Sequence, residues 1–370
     1  MSKKILFISN VPSPYNVAYL NELGKLADVS AVFERGFSKE RDGSWKEINA
    51  IMFDCIILRG ISTGVDSAFS PGVLHYVKAY KNAYIIIGNP ATPTGILAIL
   101  YCKLFRIPFI LQSEGGIPKD GKGIKERFKK WLMKSAKLYL SGMNPEHDYF
   151  LTYGAKKEEI VQYPFTSLYQ KDIVKKVPSC EEKKKLRAAL GIEADAMILF
   201  VGQFIHRKGI DILLNAAKNL PGDPYILIVG GEPTEEYREI IRDNGLLNVH
   251  FCAFMSREEL AKYYLASDIF VLPTREDTWG LVVNEAMAAG LPVITTMNCV
   301  AGRELVENGV NGYLVETENA EALHCAMEDL LLDAEKRYQM GVSSLKRIQP
   351  YSYENMAKVI YTGLLANEEK

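Results

Sequence analysis

Short apolar runs alternate with longer mixed segments along this chain, stop, and then start again, and that doubled alternation leaves few folds open. The first set is Ile5–Ile8, Val29–Phe33, Cys55–Leu58, Tyr84–Ile87, Phe109–Leu111 and Leu138–Leu140. The second is Met197–Val201, Tyr225–Val229, Val249–Phe251, Ile269–Leu272, Pro292–Thr295 and Tyr313–Val315. Runs this short and continuously apolar suit parallel strands buried on both faces. Between them, Thr94–Phe105 and Lys125–Ala136 have helical character. The alternation predicts parallel sheets with helices on both faces. From Phe165 to about Glu182 the pattern fades into a polar, lysine-containing stretch with Pro178, the composition of a linker. The expectation is an α/β chain of two doubly wound, Rossmann-like domains facing across a cleft, with ligands at the carboxyl ends of the strands. The boundaries read as 1–170 for the first domain, 171–192 for the linker, 193–350 for the second domain and 351–370 for a terminal helix. A length of 370 residues suits two domains that each bury a core.

Composition removes several function classes. The net charge is -1 with 24% charged residues, so no global basic field points to nucleic acid. The six cysteines, Cys55, Cys102, Cys180, Cys252, Cys299 and Cys325, include no Cys-x-x-Cys, and most lie among apolar residues. That pattern is expected of buried thiols in a reducing cytosol rather than of disulfides or zinc. His75, His147, His206, His250 and His324 show no metal-ligand spacing, and metal ligands are expected to be none. Neither Gly-x-Ser-x-Gly nor a P-loop motif occurs, which argues against a common serine hydrolase or a P-loop enzyme. The basic, then apolar start from Met1 to Asn10 is too short for a signal segment and reads as a first strand. The longest apolar stretch, Gly95–Phe105, is too short to span a bilayer. The expected location is the cytoplasm, or its face of the cytoplasmic membrane.

The stretch Pro273 to Ile294, PTREDTWGLVVNEAMAAGLPVI, carries the most chemistry. It starts where an apolar strand ends, and Leu281, Val282, Ala286 and Ala289 recur at helical spacing until Gly290–Leu291–Pro292 stops the helix. Amides from Gly280 to Val282 then stand at the helix's positive end, a place suited to phosphate. Asp277 and Glu285 bracket that end with carboxylates, which offer acceptors to sugar hydroxyls. A second element follows the strand Ile198–Val201: Gly202, Gln203, then Arg207, Lys208 and Gly209. A basic pair before a helix can hold a diphosphate, Lys208 as a point charge and Arg207 as a planar fork.

The first element resembles the signature of the retaining nucleotide-sugar glycosyltransferases of family 4, which have the GT-B fold: Glu-Gly-Phe-Gly-x-x-x-x-Glu-Ala-Met-Ala-x-Gly-x-Pro-Val. Aligned on Trp279–Gly280, the first acidic position is Asp277, preceded by Glu276, so either of the two faces the donor sugar. The resemblance is close over the C-terminal half and extends to the N-terminal half by pattern. It implies transfer of a hexose-type sugar from a nucleotide-diphosphate sugar, UDP-sugar ahead of GDP-sugar, to a glycan or lipid-linked acceptor. It also implies no required cofactor or metal, catalytic roles for Lys208, Arg207, Asp277 and Glu285, and a terminal helix crossing back to the first domain. The family's Gly-Arg-x-x-x-x-Lys-Gly pattern carries Lys208 over, while Gln203 stands where its Arg would be and Arg207 supplies the charge from elsewhere. Donor contacts fall on Gly202, Gln203, Gly230, Phe254, Glu276, Thr278, Trp279, Gly280, Leu281 and Val282. Gly230–Gly231 is a turn whose glycines admit a nucleotide, and an ordinary turn asks for the same residues. Phe254 and Met255 lie at the strand end that cradles the base in the family.

In the first half, Asn10–Asn16 reads as the loop after the first strand, with Pro14, Tyr15 and Asn16 walling an acceptor pocket where relatives often have Gly-Gly. Glu114, in Gln112–Gly116, is the candidate for acceptor or donor-sugar contact where many relatives have a histidine. Residues 119–137 interleave Lys119, Lys122, Lys125, Arg127, Lys129, Lys130, Lys134 and Lys137 with Phe128, Trp131, Leu132 and Met133. A helix packed on the sheet explains this pattern, and the same basic, aromatic segment suits an anionic membrane. A sugar-nucleotide-binding protein without catalysis is the alternative, because Gln203 and Asp277 both depart from the family pattern.

Overall fold

The computed structural model describes residues 3–36, 49–117 and 123–367. Met1–Thr166 with Ser352–Lys370 form one compact unit, and Ser167–Tyr351 form another.

In the first unit the strands are β1 (Lys4–Ser9), β2 (Asp28–Phe33), β3 (Asp54–Ile57), β4 (Ile61–Ser62), β5 (Ala68–Phe69), β6 (Tyr84–Ile87), β7 (Ile110–Ser113), β8 (Leu138–Ser141) and β9 (Ile160–Gln162). Among the described residues, seven of them make a parallel sheet in the order β3-β2-β1-β6-β7-β8-β9, and β4 and β5 pair separately as a short antiparallel ribbon. Ile5 of β1 stands opposite Val29 of β2 and Tyr84 of β6, so β1 sits centrally where the strand order reverses. Its buried run explains why it reads as an unbroken apolar stretch. The two-residue strands β4 and β5 and the three-residue β9 are too short to leave a periodic signature.

A helix begins at Pro14, not after Asn16. Ser13 caps it by accepting from the Asn16 amide at 3.3 Å, and proline at the first helical position has no amide to leave unpaired. The loop expected through Asn16 therefore ends at Ser13. The helix Pro93–Leu104 uses the same device, Thr92 accepting from the Gly95 amide at 3.1 Å. The helix Tyr353–Ala366, capped by Ser352, belongs to this unit and packs on the helix Pro14–Gly24.

The second unit holds β10 (Met197–Val201), β11 (Tyr225–Val229), β12 (Val249–Cys252), β13 (Ile269–Leu272), β14 (Val293–Thr296) and β15 (Gly312–Val315). They form a parallel sheet in the order β12-β11-β10-β13-β14-β15, which again reverses beside its first strand. The loops after β10 and β13 thus flank the position where doubly wound sheets bind ligands.

Residues 180–189, read from the sequence as part of a linker, form a helix packed on the helix Arg257–Ala266. Ser179 and Glu182 close a capping box at its start. What anchors it is charge: Arg187 Nη1 lies 2.8 Å and Lys183 Nζ 3.7 Å from the buried Asp268 carboxylate, which also accepts from the Met197 amide at 2.9 Å. The lysines that suggested a solvated linker include one that is buried. The cysteines also depart from expectation. Cys102 and Cys299 are buried, Cys55 and Cys252 partly so, and Cys180 and Cys325 are exposed; all six are free thiols. Removing one partner of a buried charge cluster leaves the others uncompensated, so Asp268→Ala should destabilise the chain by about 3–5 kcal/mol. Urea denaturation of wild type and variant measures the difference.

Candidate functional site

The loop after β10 and the loop after β13 meet through Lys208 and Asp277. Lys208 ends a single 3-10 turn, His206–Lys208, and its side chain is buried rather than lying on the surface as a helix-start cation would. Its ammonium donates to Asp277 Oδ2, and Arg207 Nη1 lies 3.5 Å from Asp277 Oδ1. Asp277 is itself buried. Two cations therefore share one carboxylate at the carboxyl ends of neighbouring central strands. Sequence reasoning had set Asp277 aside for sugar hydroxyls; in the structure both its oxygens face the basic pair, while Glu276 beside it is exposed.

Residues that carried no sequence signal hold this arrangement. Thr274 Oγ1 donates to the Arg207 carbonyl at 2.9 Å, and the Arg275 amide donates to the same oxygen at 2.8 Å. The Arg275 guanidinium makes two bonds to Asp211, at 2.9 and 2.6 Å, and donates to the His206 carbonyl at 2.6 Å. The Asp277 amide donates to the Asn298 carbonyl at 2.9 Å. These contacts join residues up to 69 positions apart, a separation that a local motif cannot encode.

The helix Leu281–Ala288 begins at Gly280, whose φ of 100° is open only to glycine at low cost, and an added Cβ would stand 2.7 Å from Cys299 Sγ. Leu281 and Val282 occupy the first turn and are partly exposed. Trp279, expected to shape the sugar pocket with Thr278, is instead buried, with its indole Nε1 donating to Asn284 Oδ1 at 2.9 Å. Its ring supports the helix entry from beneath. Thr278 is exposed.

Glu285 lies in the second turn. Ser167 Oγ donates to its Oε1 at 2.9 Å and Tyr264 OH to its Oε2 at 3.1 Å. Burial pushes its carboxyl above the usual glutamate range, although both hydroxyls pull the other way. The carboxylate borders a cavity of about 360 Å³ whose walls include Leu168, Leu260, Ala261 and Ala288, with Arg257 and Asp172 also lining it and paired at 2.8 Å.

Of the remaining donor candidates, Gln203 is exposed after Gly202, and Phe254 is exposed beyond β12. Gly230 has its close approach to protein, not to open space: an added Cβ would lie 2.2 Å from the Gly202 carbonyl oxygen. Its glycine keeps two strand ends together, as an ordinary packing role requires.

In the first unit, Asn16 and Glu114 come together at the carboxyl ends of the central strands. With Phe7, Ser9, Asn89 and Gln112 they line a cavity of about 20 Å³, room for about one water. Pro14 is exposed, and the Tyr15 ring meets Phe165 edge-on at 5.7 Å. Tyr163 donates to the Ser113 carbonyl at 2.9 Å, and burial, reinforced by the Glu114 carboxylate, pushes its phenol well up. Among the described residues, no group of three or more His, Cys, Asp or Glu side chains is placed to hold a metal ion.

Residues 182–347 match the family model of glycosyl transferases group 1. The site's two loops and the helix from Gly280 all lie inside that span. An uncharacterized glycosyltransferase of Methanocaldococcus jannaschii is 32% identical over 187 residues, covering 49% of this chain and 47% of the relative. A D-inositol 3-phosphate glycosyltransferase of Corynebacterium urealyticum is 32% identical over 202 residues, covering 50% and 47%. The chain thus spans about half the length of these curated relatives. The fold extends further. Anabaena HepE, solved in complex with UDP, superposes with a TM-score of 0.78 over 98% of this chain and 100% of its own, at 18% identity. The same protein has been solved with UDP-glucose, with a TM-score of 0.70 at 19% identity over 98% of this chain and 99% of its own. The fold is GT-B.

The raised carboxyl of Glu285 makes a stability prediction. Its folded pKa exceeds its unfolded one, so the folded state binds the extra proton, and stability falls as pH rises from the ordinary glutamate value through the raised one. Glu285→Gln should lack that loss. The stability difference, variant minus wild type, should therefore grow in the variant's favour as pH rises through that window, as measured by denaturation at a series of pH values.

Proposed function

We propose that this chain is a retaining glycosyltransferase. It moves a hexose-type sugar from a nucleotide-diphosphate sugar, a UDP-sugar ahead of a GDP-sugar, to a hydroxyl of a glycan or lipid-linked acceptor, in bacterial surface polysaccharide or glycolipid biosynthesis. The observation that carries the reading is the buried Lys208–Asp277 pair at the reversal point of the second sheet, beside the helix entry at Gly280. An isolated buried pair is costly to build. Here it keeps a cation preorganised where a diphosphate can reach both an ammonium and helix amides. That HepE has been solved with UDP and with UDP-glucose supports the donor class.

In this reading the second unit binds the donor and the first unit the acceptor. The sugar–phosphate bond breaks and the new glycosidic bond forms on the same face of the ring. The acceptor hydroxyl's proton passes to the departing phosphate. Lys208, Arg207 and the amides at Gly280, Leu281 and Val282 offset the charge that grows on the leaving group, and Asp277 fixes the two cations. Glu285 accepts from the ribose hydroxyls, Phe254 stands by the base, and Glu276 and Thr278 reach the sugar. Pro14, Tyr15, Asn16 and Glu114 contact the acceptor. Charge neutralisation by side chains and a helix end takes the place of a divalent ion, so the reaction is metal-independent, and EDTA should leave transfer unchanged. Strict restoration by magnesium or manganese would overturn that assignment. The enzyme works in the cytoplasm at the inner face of the membrane, meeting anionic lipid through the basic segment 119–137.

Because Lys208 acts where charge develops, Lys208→Ala should lower kcat by roughly 10²–10³-fold at saturating donor. Turnover of purified wild type and variant, with labelled nucleotide sugars and an acceptor extract, checks this. Donor binding by wild type with no transfer in any such pairing would favour the binding-protein alternative.

A further inference from the structure

The helix Ile124–Met133 carries two apolar stripes. Leu132 and Met133 face the core, as a sheet-packed helix requires. The other stripe, Ile124, Phe128 and Trp131 at positions i, i+4 and i+7, points outward and is 87%, 43% and 53% exposed. Leu104 and Phe105, at the end of the neighbouring helix Pro93–Leu104, are 76% and 57% exposed. Lys103 joins the two groups. Its ammonium lies 3.4 Å from the centroid of the Trp131 ring and donates to the Trp131 carbonyl at 2.8 Å. The Phe128 and Trp131 rings are 5.7 Å apart. A contiguous exposed apolar group of this kind marks an interaction surface, whereas scattered single side chains do not.

Charge selects the partner. Residues 103–106 and 123–137 hold eight lysines and arginines against one carboxylate, Glu126, a net +7. With a chain total of -1, the rest of the chain carries -8, so the positive charge is concentrated where the apolar side chains emerge. The core of a protein–protein interface is depleted in lysine. Aromatic side chains bordered by lysines suit the headgroup boundary of a bilayer, where rings enter the interface and ammonium groups remain on lipid phosphates. Lys129 is the one of the eight that takes no part, since it donates inward to Tyr149 and Tyr153 at 2.6 and 2.7 Å, which leaves a net +6 for the surface. Lys119 and Lys122, part of the basic segment read from the sequence, lie outside the described residues.

We propose that this two-helix surface docks the first unit on an anionic bilayer, with Leu104, Phe105, Phe128 and Trp131 entering the headgroup boundary. The inference deepens the membrane placement proposed above. Its test uses lipid alone, without donor or acceptor, so its failure is distinct from failure of the transferase reading. The full chain is sedimented with vesicles of phosphatidylcholine, with and without phosphatidylglycerol, at low and high salt. Binding is expected to the anionic vesicles only, and to fade at high salt. Replacing the exposed Lys125, Lys130 and Lys134 with Gln should weaken binding on the order of 100-fold, at about a factor of five per lysine. Phe105→Ser with Trp131→Ser should weaken it at unchanged charge. No sedimentation with anionic vesicles at low salt overturns the proposal, as does binding that the variants leave unchanged. Lipid-free self-association in sedimentation velocity, abolished by the serine variants, would assign the surface to a second copy and overturn it equally.

Discussion

A buried lysine must be compensated where it stands, and the second unit is organised around that requirement. Lys208 can lie at the carboxyl edge of the sheet because Asp277 arrives beside it from the next central strand. The pair ties the loop after β10 to the loop after β13, and the desolvation of both charges makes it intolerant of losing either one. Thr274 and Arg275 then fix the backbone of the same two loops, so the cation is held in place before any ligand arrives.

The helix that begins at Gly280 depends on the same frame. Trp279 and Cys299 pack under its first turn, with the Cys299 thiol donating to the Trp279 carbonyl at 3.2 Å. That packing buries Trp279 and makes it a support for the helix entry. One turn later, Glu285 is placed by Ser167 and Tyr264, so its carboxylate is oriented although burial disfavours its charge. A carboxylate that needs hydrogen-bond donors to remain ionised is well suited to accept from further hydroxyls. The first unit repeats the scheme in a milder form, gathering Asn16, Asn89 and Glu114 where its own strand order reverses.

Charge also divides the chain into regions. Around Asp268 it is buried, paired and structural, and it turns a lysine-rich stretch into a packed helix. Along the helices ending at Leu104 and Met133 it is mostly exposed and predominantly positive, Glu126 being the one carboxylate. The difference between these uses of lysine is a matter of what stands opposite each ammonium. Among the described residues no helix is long and apolar enough to cross a membrane.

Twelve of the strands were legible as short apolar runs, most of them because a strand buried on both faces must be apolar throughout; the edge strands β3 and β12 are less buried but still apolar enough to show such a run. The helix entry at Gly280 and its stop at Gly290 were legible for the same reason: glycine and proline act on φ within one or two residues. The basic pair and the acidic pair of the site were visible as types at the ends of strands. What they do to one another was not. Lys208 and Asp277 are 69 residues apart, and only the pairing of β10 with β13 brings them together. The same holds for Asp268, which decides that 180–189 is a helix and not a linker. It holds also for the outward stripe of Ile124, Phe128 and Trp131, because periodicity says which residues share a face but not which face the core will cover. Sequence alone determined the elements and the chemistry at their ends, through local backbone and burial rules. Tertiary structure decided which charges meet and which apolar faces remain uncovered, because both depend on contacts between segments far apart in the chain.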